Sequence, residues 1–86
     1  MATPDELIPP LKQLIVDKLF LKVDPAEMDA DKPLMDAYGV DSVSLFEIVV
    51  GLEEEYGIVL ADDEFDIELF RSVRSIAEFA ASKLDS

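Results

Sequence analysis

The sequence contains no cysteine and no histidine. The absence of cysteine excludes disulfide bonds and thiolate metal sites, and the absence of histidine removes the side chain that most often acts as a general base or metal ligand. An enzyme without these residues would depend on paired carboxylates or on a lysine in a pocket, and no such constellation is evident. We therefore expect a protein with no catalytic residues and no metal site.

Basic residues are also scarce: there are seven, against 20 acidic residues, and the formal net charge is −13. Residues 24–68 hold 15 of the acidic residues and a single lysine. Such a segment repels phosphates, so nucleic acid is not an expected partner, whereas proteins with basic surfaces are. An acidic surface that only maintains solubility explains the charge equally well.

Long apolar runs are absent, and the acidic, polar first residues do not resemble a signal peptide. We expect no membrane insertion, a cytoplasmic location and a monomer, with residues 1–86 forming one domain. A calcium-binding loop is not supported, because a loop starting at Asp29 places Leu34 where glycine is needed, and one starting at Asp62 places Ile67 there.

The spacing of apolar residues predicts an all-α fold, a small three-to-four-helix bundle with a long loop between the first and second helices. Thr3 is expected to cap the first helix, which Pro9 and Pro10 delay or kink and which fades over residues 20–22. Residues 24–40 form the long loop, which ends at Gly39.

Asp41 is a good N-cap for the second helix, which is predicted to run from Ser42 to about Tyr56 and to end at Gly57. Residues 58–60 are expected to form an extended, buried connection, followed by a short helical turn near residues 62–68. Ser72 is expected to cap the last helix, whose apolar side is formed by Val73, Ile76, Ala77, Phe79, Ala80 and Leu84.

The second helix has two apolar stripes. At about 100° per residue, one stripe is the predicted core face, formed by Leu45, Ile48, Val49, Leu52 and Tyr56. The other lies on roughly the opposite side: Val43, Phe46 and Val50, flanked by Glu47, Glu53 and Glu54. Carboxylates beside an apolar stripe are costly to bury, so a partner-binding face is favoured over a helix buried all round.

Asp41-Ser42 lies where the chain enters this helix. A serine in the first turn points outward, and the unpaired N–H groups and positive dipole end of a helix favour an attached phosphodiester. An Asp-Ser pair before a helix is, taken alone, usually only a cap.

The segment Gly39-Val40-Asp41-Ser42-Val43-Ser44-Leu45 resembles the modification motif of acyl carrier proteins, commonly Gly-x-Asp-Ser-Leu. The resemblance continues through Phe46-Glu47-Ile48, Leu52-Glu53-Glu54-Glu55-Tyr56 and the Asp62-Asp63-Glu64 turn, and through residues 70–79. It departs at Val43, where leucine is usual, and at Ser44, where many fatty-acid carriers have an acidic residue. These departures favour a specialised, freestanding carrier.

The resemblance implies that Ser42 carries covalent 4′-phosphopantetheine, transferred from coenzyme A by a phosphopantetheinyl transferase, with Asp41 helping to position the transferase's metal ion. The arm's thiol would carry acyl thioesters between synthase and transfer enzymes with basic patches, in specialised lipid, fatty-acid or polyketide synthesis. The acyl chain would fold back between helices, and the candidate lining residues, which serve equally well as core, are Leu45, Val49, Leu60 and Ile67.

Two alternatives to this function remain open. In the first, the chain is an aminoacyl or peptidyl carrier, a class of protein closely related to acyl carriers. In the second, the chain is an unmodified acidic protein-interaction module. The second alternative predicts no modification at Ser42.

Overall fold

The computed structural model describes residues 3–60 and 66–84, and these residues form an all-α fold. The elements in chain order are α1 (Pro4–Leu19), a 3-10 helix η1 (Pro25–Glu27), α2 (Leu34–Tyr38), α3 (Ser42–Tyr56), a second 3-10 helix η2 (Ile67–Phe70) and α4 (Val73–Leu84). The predicted helical bundle is confirmed. None of the helices within the described ranges is long and apolar enough to cross a membrane.

Helix α1 begins where its sequence signals place it. The Thr3 hydroxyl accepts a hydrogen bond from the Glu6 N–H at 3.3 Å, and Pro4 occupies the first helical position. Pro9 and Pro10 lie inside the helix rather than delaying it. The carbonyl groups that they leave without N–H partners belong to Asp5 and Glu6, which are exposed residues that water can reach.

The connection from residue 24 to 40 is not a structureless loop, because η1 and α2 lie within it. Its backbone is hydrogen-bonded to the end of η2 and to the first turn of α4: the Leu34 N–H donates to the Arg71 carbonyl at 2.8 Å, and the Arg74 N–H donates to the Ala30 carbonyl at 2.9 Å. The Arg74 guanidinium also pairs with Asp31 and with Asp5 in α1. The hydrogen bond that Arg74 donates to the Asp31 carboxylate raises the pKa of Arg74, so the guanidinium is charged at every physiological pH.

The core lies where α1 packs against both α3 and α4. Its fully buried members include Leu11 and Ile15 of α1, Leu45 and Ile48 of α3, and Ile76 of α4. Burial of such side chains is the main favourable term in folding, at about 1.5–3 kcal/mol each. Helix α1 therefore lies at the centre of the core, between α3 and α4.

The predicted cap of the last helix at Ser72 is confirmed, and Ser72 and Ser75 each accept a hydrogen bond from the other's backbone. The Ser75 N–H donates to the Ser72 hydroxyl at 3.2 Å, and the Ser72 N–H donates to the Ser75 hydroxyl at 3.0 Å. One expectation is wrong: Val59, predicted to be buried, is exposed. Leu84, the last residue of the predicted apolar side of α4, is partly exposed.

The predicted helical turn near residues 62–68 lies mostly outside the described residues, including Asp62, Asp63 and Glu64. The described part is η2, which begins one residue after Asp66. The Asp66 carboxylate accepts a hydrogen bond from the Glu68 N–H at 3.0 Å, so a side-chain cap starts this element too.

Candidate functional site

Asp41 caps the N-terminus of α3. Its backbone is extended, with φ −101° and ψ 176°, and its Oδ1 accepts a hydrogen bond from the Ser44 N–H at 2.7 Å. This hydrogen bond from Ser44 lowers the pKa of Asp41 below its usual value of 3.8. Asp41 is therefore ionised near neutral pH and its negative charge lies at the positive end of the helix dipole.

Ser42 is the first residue of α3 and is exposed. The core residue Val40 precedes it and the core residue Leu45 follows it in the first turn. These two anchors hold the helix start against the bundle while the serine faces water. The hydroxyl is thus accessible, and the first N–H groups of the helix lie beside it.

The second apolar stripe of α3 is exposed, as predicted. The exposed fractions are 71% for Val43, 55% for Phe46 and 48% for Val50, and all three flanking glutamates, Glu47, Glu53 and Glu54, are exposed. We call these six residues the α3 strip. The predicted core face of the same helix is also confirmed, since Leu45, Ile48 and Leu52 are inaccessible to solvent and Val49 and Tyr56 are half-buried.

One member of the α3 strip has an intramolecular partner that the sequence did not reveal. The Lys18 ammonium lies 3.2 Å from a carboxylate oxygen of Glu54 and joins the last turn of α1 to the last turn of α3. Exposed pairs of this kind contribute little stability. Within residues 3–60 and 66–84 Glu47 and Glu53 have no ion-pair partner, and Glu54 is partly neutralised.

Helix α3 ends at a glycine C-cap. Gly57 has φ +68°, which favours glycine, and its N–H donates to the Glu53 carbonyl at 3.0 Å. With Asp41 at one end and Gly57 at the other, the length of α3 is fixed by its own sequence.

A surface groove of about 220 Å³ lies between α2 and η2 and was not predicted. Its apolar lining residues are Pro33, Met35, Ile67 and Phe70. Ile67 was a candidate for the lining of a channel between helices together with Leu45, Val49 and Leu60, but it is 48% exposed and lines this groove instead. Periodicity could not assign Met35 to a face, because its helix has only five residues.

No group of three or more acidic side chains is arranged to hold a metal ion within residues 3–60 and 66–84. The acidic residues of α3 are Glu47 in the middle of the helix and the consecutive Glu53, Glu54 and Glu55 near its end.

Comparison with known proteins identifies the family. Residues 11–80 match the family profile of the phosphopantetheine attachment site. The acyl carrier protein of Solidesulfovibrio magneticus is 34% identical over 73 residues, which cover 85% of this chain and 88% of that protein. The acyl carrier protein of Thermotoga maritima is 31% identical over 84 residues, which cover 98% of this chain and 99% of that protein.

A comparison with solved structures identifies the same kind of protein. A solved structure of KstB-PCP in its apo form superposes with a TM-score of 0.71 at 34% sequence identity, covering 90% of this chain and 87% of that one. The chain therefore belongs to the phosphopantetheine-dependent acyl carrier protein family, whose members hold acyl groups on covalently bound 4′-phosphopantetheine. Carriers of this family work with synthase and transferase enzymes.

The start of α3 fits the phosphate end of such an arm. An exposed hydroxyl is the group that a phosphodiester requires, and the neighbouring N–H groups at the helix N-terminus favour its negative charge. The arm supplies, when bound, the thiol that the sequence lacks.

Proposed function

We propose that residues 1–86 act as one carrier domain, that Ser42 is its attachment residue, and that the chain is a substrate of its partner enzymes rather than a catalyst. The observation that carries this proposal is an exposed serine at the first position of a capped helix, inside the segment that matches the attachment-site family. Specialised lipid, fatty-acid or polyketide synthesis is the proposed setting.

The attachment step uses coenzyme A and a phosphopantetheinyl transferase. The Ser42 oxygen forms a new bond to the phosphorus that bears the pantetheine, and the bond from that phosphorus to adenosine 3′,5′-bisphosphate breaks. The hydroxyl proton passes to a base of the transferase, since the carrier has no histidine to accept it. Asp41 is proposed to hold the helix start in place and to assist the transferase's metal ion.

The other serines of the described chain are less suited to attachment. Ser72 and Ser75 are hydrogen-bonded to each other at the start of α4. Ser44 is half-buried, and Ser82 lies in the last turns of α4, near the end where a helix dipole disfavours negative charge. Ser42 alone among these residues combines exposure with a helix N-terminus.

The α3 strip is the proposed contact surface for partner enzymes. Val43, Phe46 and Val50 offer apolar contacts that no neighbouring helix covers fully, and Glu47 and Glu53 offer charge to basic patches. Charges at the edge of an interface mainly increase association rates and discriminate between partners. A single helix would thus hold both the attachment residue and the contact surface.

Intact mass spectrometry tests the attachment residue. Incubation with coenzyme A and a phosphopantetheinyl transferase of broad specificity is expected to add one phosphopantetheine per chain. Ser42→Ala should abolish the addition, whereas Ser44→Ala, two residues along the same helix, should retain it. Addition that persists in the Ser42→Ala protein, or that peptide mapping assigns to another serine, contradicts the proposal.

A further inference from the structure

The two ends of α3 differ in charge. Asp41 precedes the helix and Glu47 lies in its first half, and the positive end of the helix dipole partly offsets these two carboxylates. Three consecutive exposed glutamates, residues 53–55, lie at the other end, where the helix dipole is itself negative. The strongest negative charge of α3 is therefore at the end remote from Ser42.

Helix α1 adds a further carboxylate at that end. Asp17 and Glu55 line the same groove, which has a volume of about 270 Å³ and lies between α1 and the end of α3. Burial raises the pKa of the Tyr56 hydroxyl, which lines the groove too, and the neighbouring charge of Glu55 raises it further. A basic surface is thus attracted to the neighbourhood of Glu54, which lies about 18 Å along the helix axis from Ser42.

Lys18 offsets part of this charge. Its ammonium lies 3.2 Å from a carboxylate oxygen of Glu54, and its side chain is only 31% exposed, so the aliphatic stem lies against the bundle. Lys18 is in the last turn of α1, and the packing of α1 on α3 fixes where its charge is held. The lysine therefore occupies a carboxylate that a basic group of a partner would otherwise bind.

We propose that Lys18 is a positioning residue: by neutralising Glu54 it weakens the attraction of basic partner surfaces to the end of α3 and so favours docking near Ser42. This inference rests on the proposed attachment at Ser42 and on the proposed contact surface, the α3 strip. Exposed ion pairs of this kind change an equilibrium constant by about 1.4- to 5-fold. Such an effect matters little for stability, but here it acts directly on the ratio of two docking modes.

Steady-state kinetics of the phosphopantetheinyl transferase distinguish this role from plain electrostatic attraction. A docking mode centred on the end of α3 holds the carrier without presenting Ser42, so it lowers KM and kcat by the same factor and leaves kcat/KM unchanged. We expect Lys18→Gln to lower both constants by about two- to fivefold at low salt. The difference should vanish at about 0.5 M NaCl, because salt screens exposed charges, and Lys18→Arg should keep the wild-type constants because it keeps the charge.

Two further variants test whether Lys18 acts through Glu54. Lys12→Gln makes the same change of charge on the same helix, at a position that lines a different groove between α1 and η1, and should leave kcat unchanged. In a Glu54→Gln background, Lys18→Gln should change KM and kcat by less than about 1.5-fold, because the carboxylate that it would expose is absent. Thermal unfolding of each variant confirms that the fold persists.

The inference is overturned if Lys18→Gln lowers kcat/KM, which would show that Lys18 itself contacts the transferase, or lowers KM alone, which would show that only net charge matters. Equal effects of Lys12→Gln and Lys18→Gln, or an undiminished effect in the Glu54→Gln background, overturn it too. Intact mass of the same reactions separates the two hypotheses. Wild-type protein without phosphopantetheine on Ser42 contradicts the proposed function together with the inference, whereas full loading with unchanged KM and kcat in Lys18→Gln overturns the role of Lys18 alone.

Discussion

Truncation of Phe46 and of Leu52 to alanine separates the two faces of α3. Both side chains lie on the same helix, but Phe46 is 55% exposed and Leu52 has no exposure. The same substitution should therefore have a small effect on folding at one position and a large effect at the other. Recognition by a partner enzyme should instead be impaired strongly by truncation of Phe46 and weakly by truncation of Leu52.

The magnitudes follow from burial. Removing a fully buried leucine side chain costs about 2–5 kcal/mol, which for a domain of this size lowers the melting temperature by roughly 8–40 °C. Phe46 buries less than half of its surface, and full burial of a phenylalanine contributes up to about 3 kcal/mol, so its loss should cost roughly 1 kcal/mol, or about 4–8 °C. The higher helix propensity of alanine reduces that cost further.

The assay measures thermal unfolding and transferase kinetics on the same protein preparations. Phe46→Ala should lower kcat/KM by about tenfold, equivalent to roughly 1.4 kcal/mol of lost contact, while the fold persists. Leu52→Ala, measured below its melting temperature, should retain most of its kcat/KM. If Phe46→Ala destabilises the protein as much as Leu52→Ala, the helix is packed on both faces and the α3 strip is not a contact surface.

Three further predictions concern charge and backbone conformation. Added salt or millimolar divalent cations should raise the melting temperature, because the 15 acidic residues between residues 24 and 68, which a single lysine offsets, repel one another; a melting temperature insensitive to both contradicts this. Because the folded-state pKa of Asp41 lies below 3.8, its contribution to stability is complete above the unfolded-state pKa and is lost as pH falls through the folded-state value. Asp41→Asn keeps the accepting oxygen and should therefore flatten the loss of stability below about pH 4 in acid titrations followed by circular dichroism; an unchanged curve is the contrary result. Phe20 has φ +53° and is 88% exposed, so Phe20→Gly should relieve left-handed strain and raise the free energy of unfolding in urea by up to about 1 kcal/mol, whereas a decrease would show that the ring stabilises the fold.

The bounds of α3 could be predicted because every signal for them is local. Asp41 caps its start, Gly57 ends it, and the period of its apolar residues separates the core face from the α3 strip. Helix α2 could not be predicted in the same way. It has five residues, its N-cap Pro33 makes no side-chain hydrogen bond, and tertiary hydrogen bonds such as that from Leu34 to Arg71 hold it in place.

The features that sequence reasoning missed depend on contacts between distant residues. The groove brings Met35 beside Ile67, and the ion pair joins Lys18 to Glu54, 36 residues apart. Local periodicity has no information about such pairs. Val59 was misassigned for a related reason, since a β-branched residue in a short apolar run looks buried whether or not another element covers it.

Helix α3 is a single uninterrupted helix, so a tilt about one of its turns displaces the residues at its other end. Its 15 residues span about 22 Å, and Val50 lies about 12 Å along the axis from Ser42. If a partner binds only the turn around Val50, a tilt of the helix axis by about 10° moves Ser42 by roughly 2 Å. A misplacement of about 1 Å at a reacting group can cost about 100-fold in rate. Accurate placement of the serine therefore requires a second contact between the partner and α3, near Val43. If Ser42 is the attachment residue, the spacing of the strip along the helix sets the angular precision with which a partner receives the serine.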